Sequence, residues 1–219
     1  MIITLDGPSG TGKSTLAKIV ASKLNFKFLN SGMIYRAIAY YYLSNGISAE
    51  DKTEIERTIN TLNIRIEFID NAQCVFINEL DCSPYVSSID VSQNVSLFSQ
   101  ILAVRHITLH LQRNFASKNN IVIEGRDIGS EVFPNADYMF YVTCDTVVRA
   151  KRRFADLKKD NPNLTLDEVV KSLENRDYLD TTRQFSPLVR PENAIDIDTS
   201  NKTIDECVNF ILNIVNQTN

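Results

Sequence analysis

Eight consecutive residues, Gly7-Pro8-Ser9-Gly10-Thr11-Gly12-Lys13-Ser14, offer the clearest chemistry in the chain. They fit the spacing G-x-x-x-x-G-K-[ST]. Glycines at these positions let the backbone curl until its N–H groups converge on an oxyanion, and a helix opening at the lysine adds its positive end. Lys13 has the reach for the outer phosphates of a nucleoside triphosphate, and the Ser14 hydroxyl is the kind of hard oxygen that Mg²⁺ takes. Thr15 follows in the same turn. The chain has seven glycines, and three of them fall within the six positions from Gly7 to Gly12, which argues against a chance match.

The remaining glycines mark further candidates. Gly32 lies in N-S-G-M-I-Y-R, Gly125 and Gly129 bracket E-G-R-D-I-G, and Gly46 follows Asn45 where a helix ends. The first two motifs each follow an apolar run that reads as a strand. In open α/β sheets, ligands gather beyond the carboxyl ends of the strands. Ser31, Tyr35, Arg36, Arg126 and Asp127 are therefore expected to face the same crevice as the glycine turn. Arginines suit a second anion there, because the planar guanidinium binds phosphate oxygens in pairs.

The elements that position these residues follow from periodicity. Short apolar runs at Ile2–Leu5, Phe26–Leu29, Ile121–Ile123, Tyr138–Val142 and Ala194–Ile197 predict strands, separated by segments of helical period. Residues 13–24 put Leu16, Ile19, Val20 and Leu24 on one face, and residues 33–43 do the same with Met33, Ile34, Ala37, Ile38 and Tyr41. Thr165 with Glu168 and Thr203 with Glu206 predict capping boxes that open the last two helices. This is the pattern of an α/β fold, a parallel five-stranded sheet flanked by helices. Residues 64–82 break the rhythm by alternating apolar and polar side chains around a turn at Asp70-Asn71, which predicts a small antiparallel insert.

Taken in order, LDGPSGTGKST, NSGMIYR, EGRDIGSEVFPNAD and NRDYLDTTRQFSPL resemble the bacterial cytidylate kinase family over nearly the whole chain. The resemblance implies a P-loop kinase core (about 1–62 and 94–219), a nucleoside-monophosphate-binding insert (about 63–93) and a short lid (about 150–164) within one domain, 1–219. It implies transfer of the γ-phosphoryl of ATP, with Mg²⁺, to CMP or dCMP. Gly7 to Thr15 would then hold ATP, with Ser14 on the metal. Arg149, Arg152 and Arg153, spaced to share a helical face, precede Asp160-Asn161-Pro162-Asn163 and would close with it over ATP. Arg36, Arg126 and Arg176 would hold the acceptor nucleotide, Arg183 its phosphate, and Arg176 and Asp180 its sugar. Ser96, Arg105 and Asp127 would read cytosine in a pocket lined by Ser31 and Tyr35. Lys13, Arg126 and Arg183 form the implied catalytic set. The family usually has Asp where this chain has Glu124, and contact with substrate or with Mg²⁺ through water both stay open to that longer carboxylate.

Other functions fit less well. A kinase of the shikimate kinase type would share the glycine turn but needs a base for a hydroxyl acceptor and has no use for the insert. A GTP-dependent switch needs N-K-x-D, and the nearest string, Asn201-Lys202-Thr203-Ile204, lacks the aspartate. His106 and His110 are four apart, but Ile107 stands where a zinc-protease helix has glutamate, so they read as ordinary surface histidines. The net charge of −4 and pI near 5.3 provide no global field for nucleic acid. Cys74, Cys82, Cys144 and Cys207 are scattered without a C-x-x-C pair, against a zinc site or a disulfide scaffold. The opening MIITLDGPSG lacks a basic residue, and the longest apolar run, Ala37 to Leu43, is seven residues. A cytoplasmic monomer is expected.

Overall fold

The computed structural model describes residues 1–158 and 161–217. In chain order the elements are β1 (Ile2–Asp6), α1 (Lys13–Leu24), β2 (Lys27–Asn30), α2 (Ser31–Ser44), α3 (Lys52–Thr58), β3 (Ile64–Ile69), β4 (Ala72–Ile77), β5 (Leu80–Asp81), α4 (Ile89–Phe98) and α5 (Leu102–Ala116). They continue with β6 (Ile121–Gly125), a π-helical turn over Ile128–Val132, β7 (Tyr138–Thr143), α6 (Thr146–Leu157), α7 (Leu166–Thr182), β8 (Ile195–Asp198) and α8 (Ile204–Gln217). The expected strands are all found, within two residues at each end. The expected lid includes Lys159 and Asp160, which lie outside the described residues.

Among the described residues, five strands form one sheet in the order β2-β6-β1-β7-β8. β1 is central and runs parallel to β6 on one side, with Leu5 opposite Glu124 and Asp6 opposite Gly125. On its other side it runs parallel to β7, with Asp6 opposite Tyr141. This register brings the ends of three strands to one edge, where the glycine turn leaves β1.

The chain divides into two compact units, one of Met1–Phe28 with Ile121–Asn219 and one of Leu29–Asn120. In the first, Ile3, Leu5, Val122, Phe140, Val142 and Ile197 of the sheet are covered by Leu16, Ala17 and Val20 of α1 and by Cys207, Val208, Ile211 and Val215 of α8. Burying such side chains contributes roughly 1.5–3 kcal/mol for each large aliphatic group. α6 and α7 join through a smaller cluster of Ala150, Val169 and Leu173. The capping box at Thr165 and Glu168 forms reciprocally, and Thr203 with Glu206 makes the same pair of bonds.

In the second unit, α2 presents Ile34, Ala37, Ile38 and Tyr42 to Ile55, Val75, Ile77, Val91, Phe98 and Val104. The antiparallel insert expected from alternation is β3-β4-β5, and Asp70 and Asn71 both take positive φ at the hairpin turn, a conformation that short polar side chains tolerate. The 63–93 segment lies within this unit, which reaches from Leu29 to Asn120.

Candidate active site

The glycine turn is built on a close approach. A Cβ at Gly7 would sit 2.1 Å from the Val142 carbonyl oxygen, so only glycine lets the chain pass the end of β7. The turn ends at Gly12 (φ 89°), which stands at the N-cap of α1 without a side-chain cap. No acidic residue occupies the first turn of α1. α7 contrasts with it, since Thr165 and Glu168 satisfy its first amides. A helix start without its own side-chain cap or acidic residue is an arrangement that suits an anion.

Lys13 is 4 % exposed, and its Nζ donates to the Pro8 carbonyl at 2.5 Å and to Thr11 Oγ1 at 3.3 Å. Burial first, then the neighbouring Arg126, lower its pKa to about 7, against the pull of Glu124 and Asp6. Phosphate oxygens would restore the charge. Ser14 Oγ donates to Glu124 Oε1 at 2.7 Å, so the residue expected to bind metal and the carboxylate at the end of β6 already meet. Two neighbouring oxygen donors suit Mg²⁺. Thr199, after β8, donates its hydroxyl to the Thr11 carbonyl at 2.9 Å, and Arg152 holds Thr199 through its carbonyl at 2.8 Å.

Beyond β6 the arginines and carboxylates interleave. Arg126 Nε donates to Asp180 Oδ2 at 2.8 Å, and Arg183 Nη2 donates to Asp127 Oδ1 at 3.1 Å. Burial works against the Arg126 charge, but Asp180, Glu124 and Asp177 more than offset it and raise its pKa. Arg183 Nε also donates to the Ser186 carbonyl at 2.6 Å, and the Leu188 amide to the Asp180 carbonyl at 2.7 Å, which folds the RQFSPL segment back onto α7. Arg176 on α7 is close enough to Lys13 to depress its pKa. Lys13, Arg126 and Arg176 therefore form one cationic group flanked by Glu124 and Asp180. The buried Asp6 carboxylate fixes this loop by accepting the amides of Ile128 at 2.9 Å and Gly129 at 2.6 Å.

The three arginines of α6 separate in environment. Arg149 is buried against the glycine turn, Arg152 reaches Thr199, and Arg153 is exposed. Their shared helical face thus serves different neighbours.

In the second unit, Asn30 caps α2 by accepting the Met33 amide at 3.0 Å, which sets Ser31, Tyr35 and Arg36 on its first turns. Gln73 of β4 clasps Asn30, accepting its amide at 2.7 Å and donating to its carbonyl at 3.2 Å. Gly32 leaves room for the Arg36 guanidinium, whose Nη1 would lie 2.9 Å from a Cβ there. Arg105 is buried with its guanidinium 5.6 Å from the Tyr35 ring centroid, and its Nη1 donates to the Ser99 carbonyl at 3.0 Å. Ser99 Oγ in turn donates to the Ser96 carbonyl at 2.9 Å. Tyr35, Arg105 and the turn at Ser96–Ser99 are therefore one connected group.

The model of the cytidylate kinase family matches residues 3–217. The chain belongs to the cytidylate kinase family. A cytidylate kinase of Fusobacterium nucleatum is 38 % identical over 211 residues, covering 96 % of this chain and 95 % of that protein. One from Clostridioides difficile is 39 % identical over 216 residues, covering 99 % and 98 %. Among solved structures, an uncharacterized protein from Eubacterium ventriosum aligns with a TM-score of 0.54 over 99 % of this chain and 98 % of its own, at 13 % identity. That likeness speaks for the fold.

Some residues of the cytidylate kinase site were not singled out from the sequence. Asp6, Asp177 and Thr199 each brace the glycine turn or the arginine loop, and Asn30 and Gln73 brace α2. Asp6 and Asp177 stand inside the quoted motifs, directly before Gly7 and after Arg176. Their role depends on partners 28 to 168 residues away in the chain, which no local spacing signals.

Proposed function

We propose that the protein is a cytidylate kinase that transfers the γ-phosphoryl group of ATP to CMP or dCMP, releasing ADP and forming CDP or dCDP. The observation that carries this reading is the cationic group of Lys13, Arg126 and Arg176, set with Glu124 and Ser14 where the strand ends meet. Family membership selects the acceptor.

The acceptor phosphate is mostly a dianion at neutral pH, so its oxygen can attack the γ-phosphorus without a general base. The bond from the γ-phosphorus to the β,γ-bridging oxygen breaks, and ADP leaves with that oxygen. The residues must position two polyanions and offset their repulsion. Gly7 to Thr15 hold the donor phosphates through backbone amides and Lys13, with Arg149, Arg152 and Arg153 at the donor side. Arg36, Arg126, Arg176 and Arg183 take the acceptor, with Asp180 and Arg176 at its sugar. Asp180 on Nε of Arg126 and Asp127 on Nη2 of Arg183 keep these guanidinium groups in place. Ser14 and Glu124 would hold Mg²⁺, which supplies charge neutralisation between the transferring phosphates when bound.

Ser96, Arg105 and Asp127 read the base, with Ser31 and Tyr35 lining its pocket. Cytosine offers an amino donor where uracil has a carbonyl, and the mismatch leaves a buried group unpaired at roughly 1–3 kcal/mol. The domain works as one, with residues 63–93 as the monophosphate lobe and residues 150–164 as the lid. No described helix is long and apolar enough to cross a membrane, and a cytoplasmic monomer fits this reading.

A coupled ADP-release assay with CMP, dCMP, UMP and shikimate tests the proposal. Turnover is expected with both cytidine nucleotides, less with UMP, and none with shikimate. If neither cytidine nucleotide turns over, the proposal fails.

A further inference from the structure

Arg149 is a guanidinium in an unusual position. It is 5 % exposed, and α6 backs so closely on the glycine turn that a Cβ on Gly10 would lie 3.4 Å from Arg149 Cβ. A charge so far from water needs a partner, and removing one partner of such a pair leaves the other buried and uncompensated. The partner is Asp177, one residue after Arg176 on α7. Arg149 Nη1 donates to Asp177 Oδ2 and, at 2.9 Å, to the Ser9 carbonyl. Asp177 Oδ1 accepts the Ser9 amide at 3.2 Å. Both polar groups of the Ser9 backbone are thus taken up by this pair, and the side chains of two helices converge on one residue of the glycine turn.

The remaining donors of Arg149 matter as much. Nη2 spends one N–H on Thr146 Oγ1 at 2.9 Å, and Nε is buried without a partner. A guanidinium has five N–H groups, and those on Nε and Nη2 form a fork that matches two oxygens of one phosphate. The Nη1 edge is anchored on Asp177 and Ser9, while the Nε edge still has donors to give. A buried N–H without an acceptor is costly, so it marks a place where an acceptor belongs.

We infer that Asp177 is a positioning residue for ATP: it clamps Arg149 and the Ser9 amide so that the Nε–Nη2 fork of Arg149 is presented to a phosphate of the donor nucleotide. The inference rests on the reading that Arg149 binds ATP. Asp177 touches no substrate itself. It neutralises the half of the guanidinium that faces the protein, and it holds the first turn of the phosphate loop against the helices on either side of the lid segment. Its contribution should therefore fall on the donor nucleotide and pass through Arg149.

The test is a double-mutant cycle on the full-length enzyme. Asp177→Asn is nearly isosteric. Its amide oxygen can still accept the Ser9 amide, but its NH₂ meets Arg149 donor to donor. Binding of a non-hydrolysable ATP analogue by calorimetry, and KM for ATP and for CMP, are measured for the wild type, Asp177→Asn, Arg149→Ala and the double variant. Asp177→Asn is expected to weaken ATP binding about tenfold while changing KM for CMP by less than about twofold, and to add nothing in the Arg149→Ala background. Asp177→Glu, which keeps the carboxylate, should recover part of the loss and supplies the same comparison if the asparagine variant folds poorly. Equal losses for ATP and CMP, or a Asp177→Asn effect that persists without Arg149, would overturn the inference and leave Asp177 a structural brace. If Arg149→Ala weakens ATP binding but Asp177→Asn does not, the inference fails by itself. If Arg149→Ala leaves ATP binding unchanged, the reading of Arg149 fails, and the inference with it.

Discussion

The two units of this kinase handle charge in opposite ways. Among the described residues, the buried Asp, Glu, Lys and Arg side chains Asp6, Lys13, Glu124, Asp127, Arg149, Asp180 and Arg183 belong to the first unit, and the second contributes Arg105. In the first unit several of these groups are held by opposite charges, as Asp180 is by Arg126 and Asp127 by Arg183. In the second, Arg105 is held by an aromatic face and a backbone carbonyl. Clustered charges of both signs make a fixed polar environment, which stabilises charge as it moves between two phosphates. On the proposed reading the first unit carries the transfer and the grip on the acceptor phosphate, and the second adds Arg105 and Tyr35 to recognition of the base.

The sharpest way to break this contrast is to remove the central charge of the first unit. Lys13→Ala is expected to lower kcat by about 100-fold or more, because on the proposed reading Lys13 meets phosphate oxygens whose charge shifts in the transition state. Steady-state kinetics at saturating CMP reads it out. Near-normal kcat would take Lys13 out of the chemistry and dissolve the division of labour.

A smaller effect is expected from the second unit. Arg105→Ala should raise KM for CMP about tenfold, leaving the affinity for an ATP analogue within about twofold of the wild type. Loss of ATP affinity as large as the loss for CMP would show that Arg105 does not serve recognition separately.

The same contrast explains what was legible before the structure. The first unit is a succession of apolar strands, uncapped or capped helices and a glycine turn, each with a local signature. β1, α1 and the capping boxes of α7 and α8 follow directly from spacing. In the second unit, the β3–β4 hairpin was visible through its alternation and its Asp70-Asn71 turn, but α3, α4 and α5 were not placed. The inward face of α5 carries Arg105, Thr108 and Gln112 beside Val104 and Ala116, so no clean apolar stripe shows. Thr108 and Gln112 stay buried there by bonding carbonyls one turn back, Thr108 Oγ1 to Val104 at 2.6 Å and Gln112 Nε2 to Thr108 at 3.1 Å. The site shows the same limit. Residues expected at phosphate are legible by type and motif, whereas the carboxylates that brace them, Asp6 and Asp177, reveal their partners only in three dimensions.

Asp6 offers the subtlest test, because its cost and its purpose oppose each other. Burial raises its pKa to about 7, against the two amides of Gly129 and Ile128 that favour the carboxylate, and the Asp127 charge adds to the rise. The folded protein therefore binds this proton more tightly than the unfolded chain does between about pH 4 and 7, and stability falls as pH rises through that window. From about pH 5 to about pH 7 the loss from this one group should be about 2 kcal/mol. Lys13, whose pKa is lowered to about 7, contributes a slope of the opposite sign at higher pH, so the measurement belongs below it. Urea unfolding of the wild type and of Asp6→Asn at the two pH values isolates the effect. Asp6→Asn should flatten the decline, because an amide carries no proton to lose, while catalysis weakens as the arginine loop loses one of its two amide anchors. If both proteins lose stability in parallel over this range, Asp6 is not the buried acid described, and the charge concentrated in the first unit is tolerated by some other means.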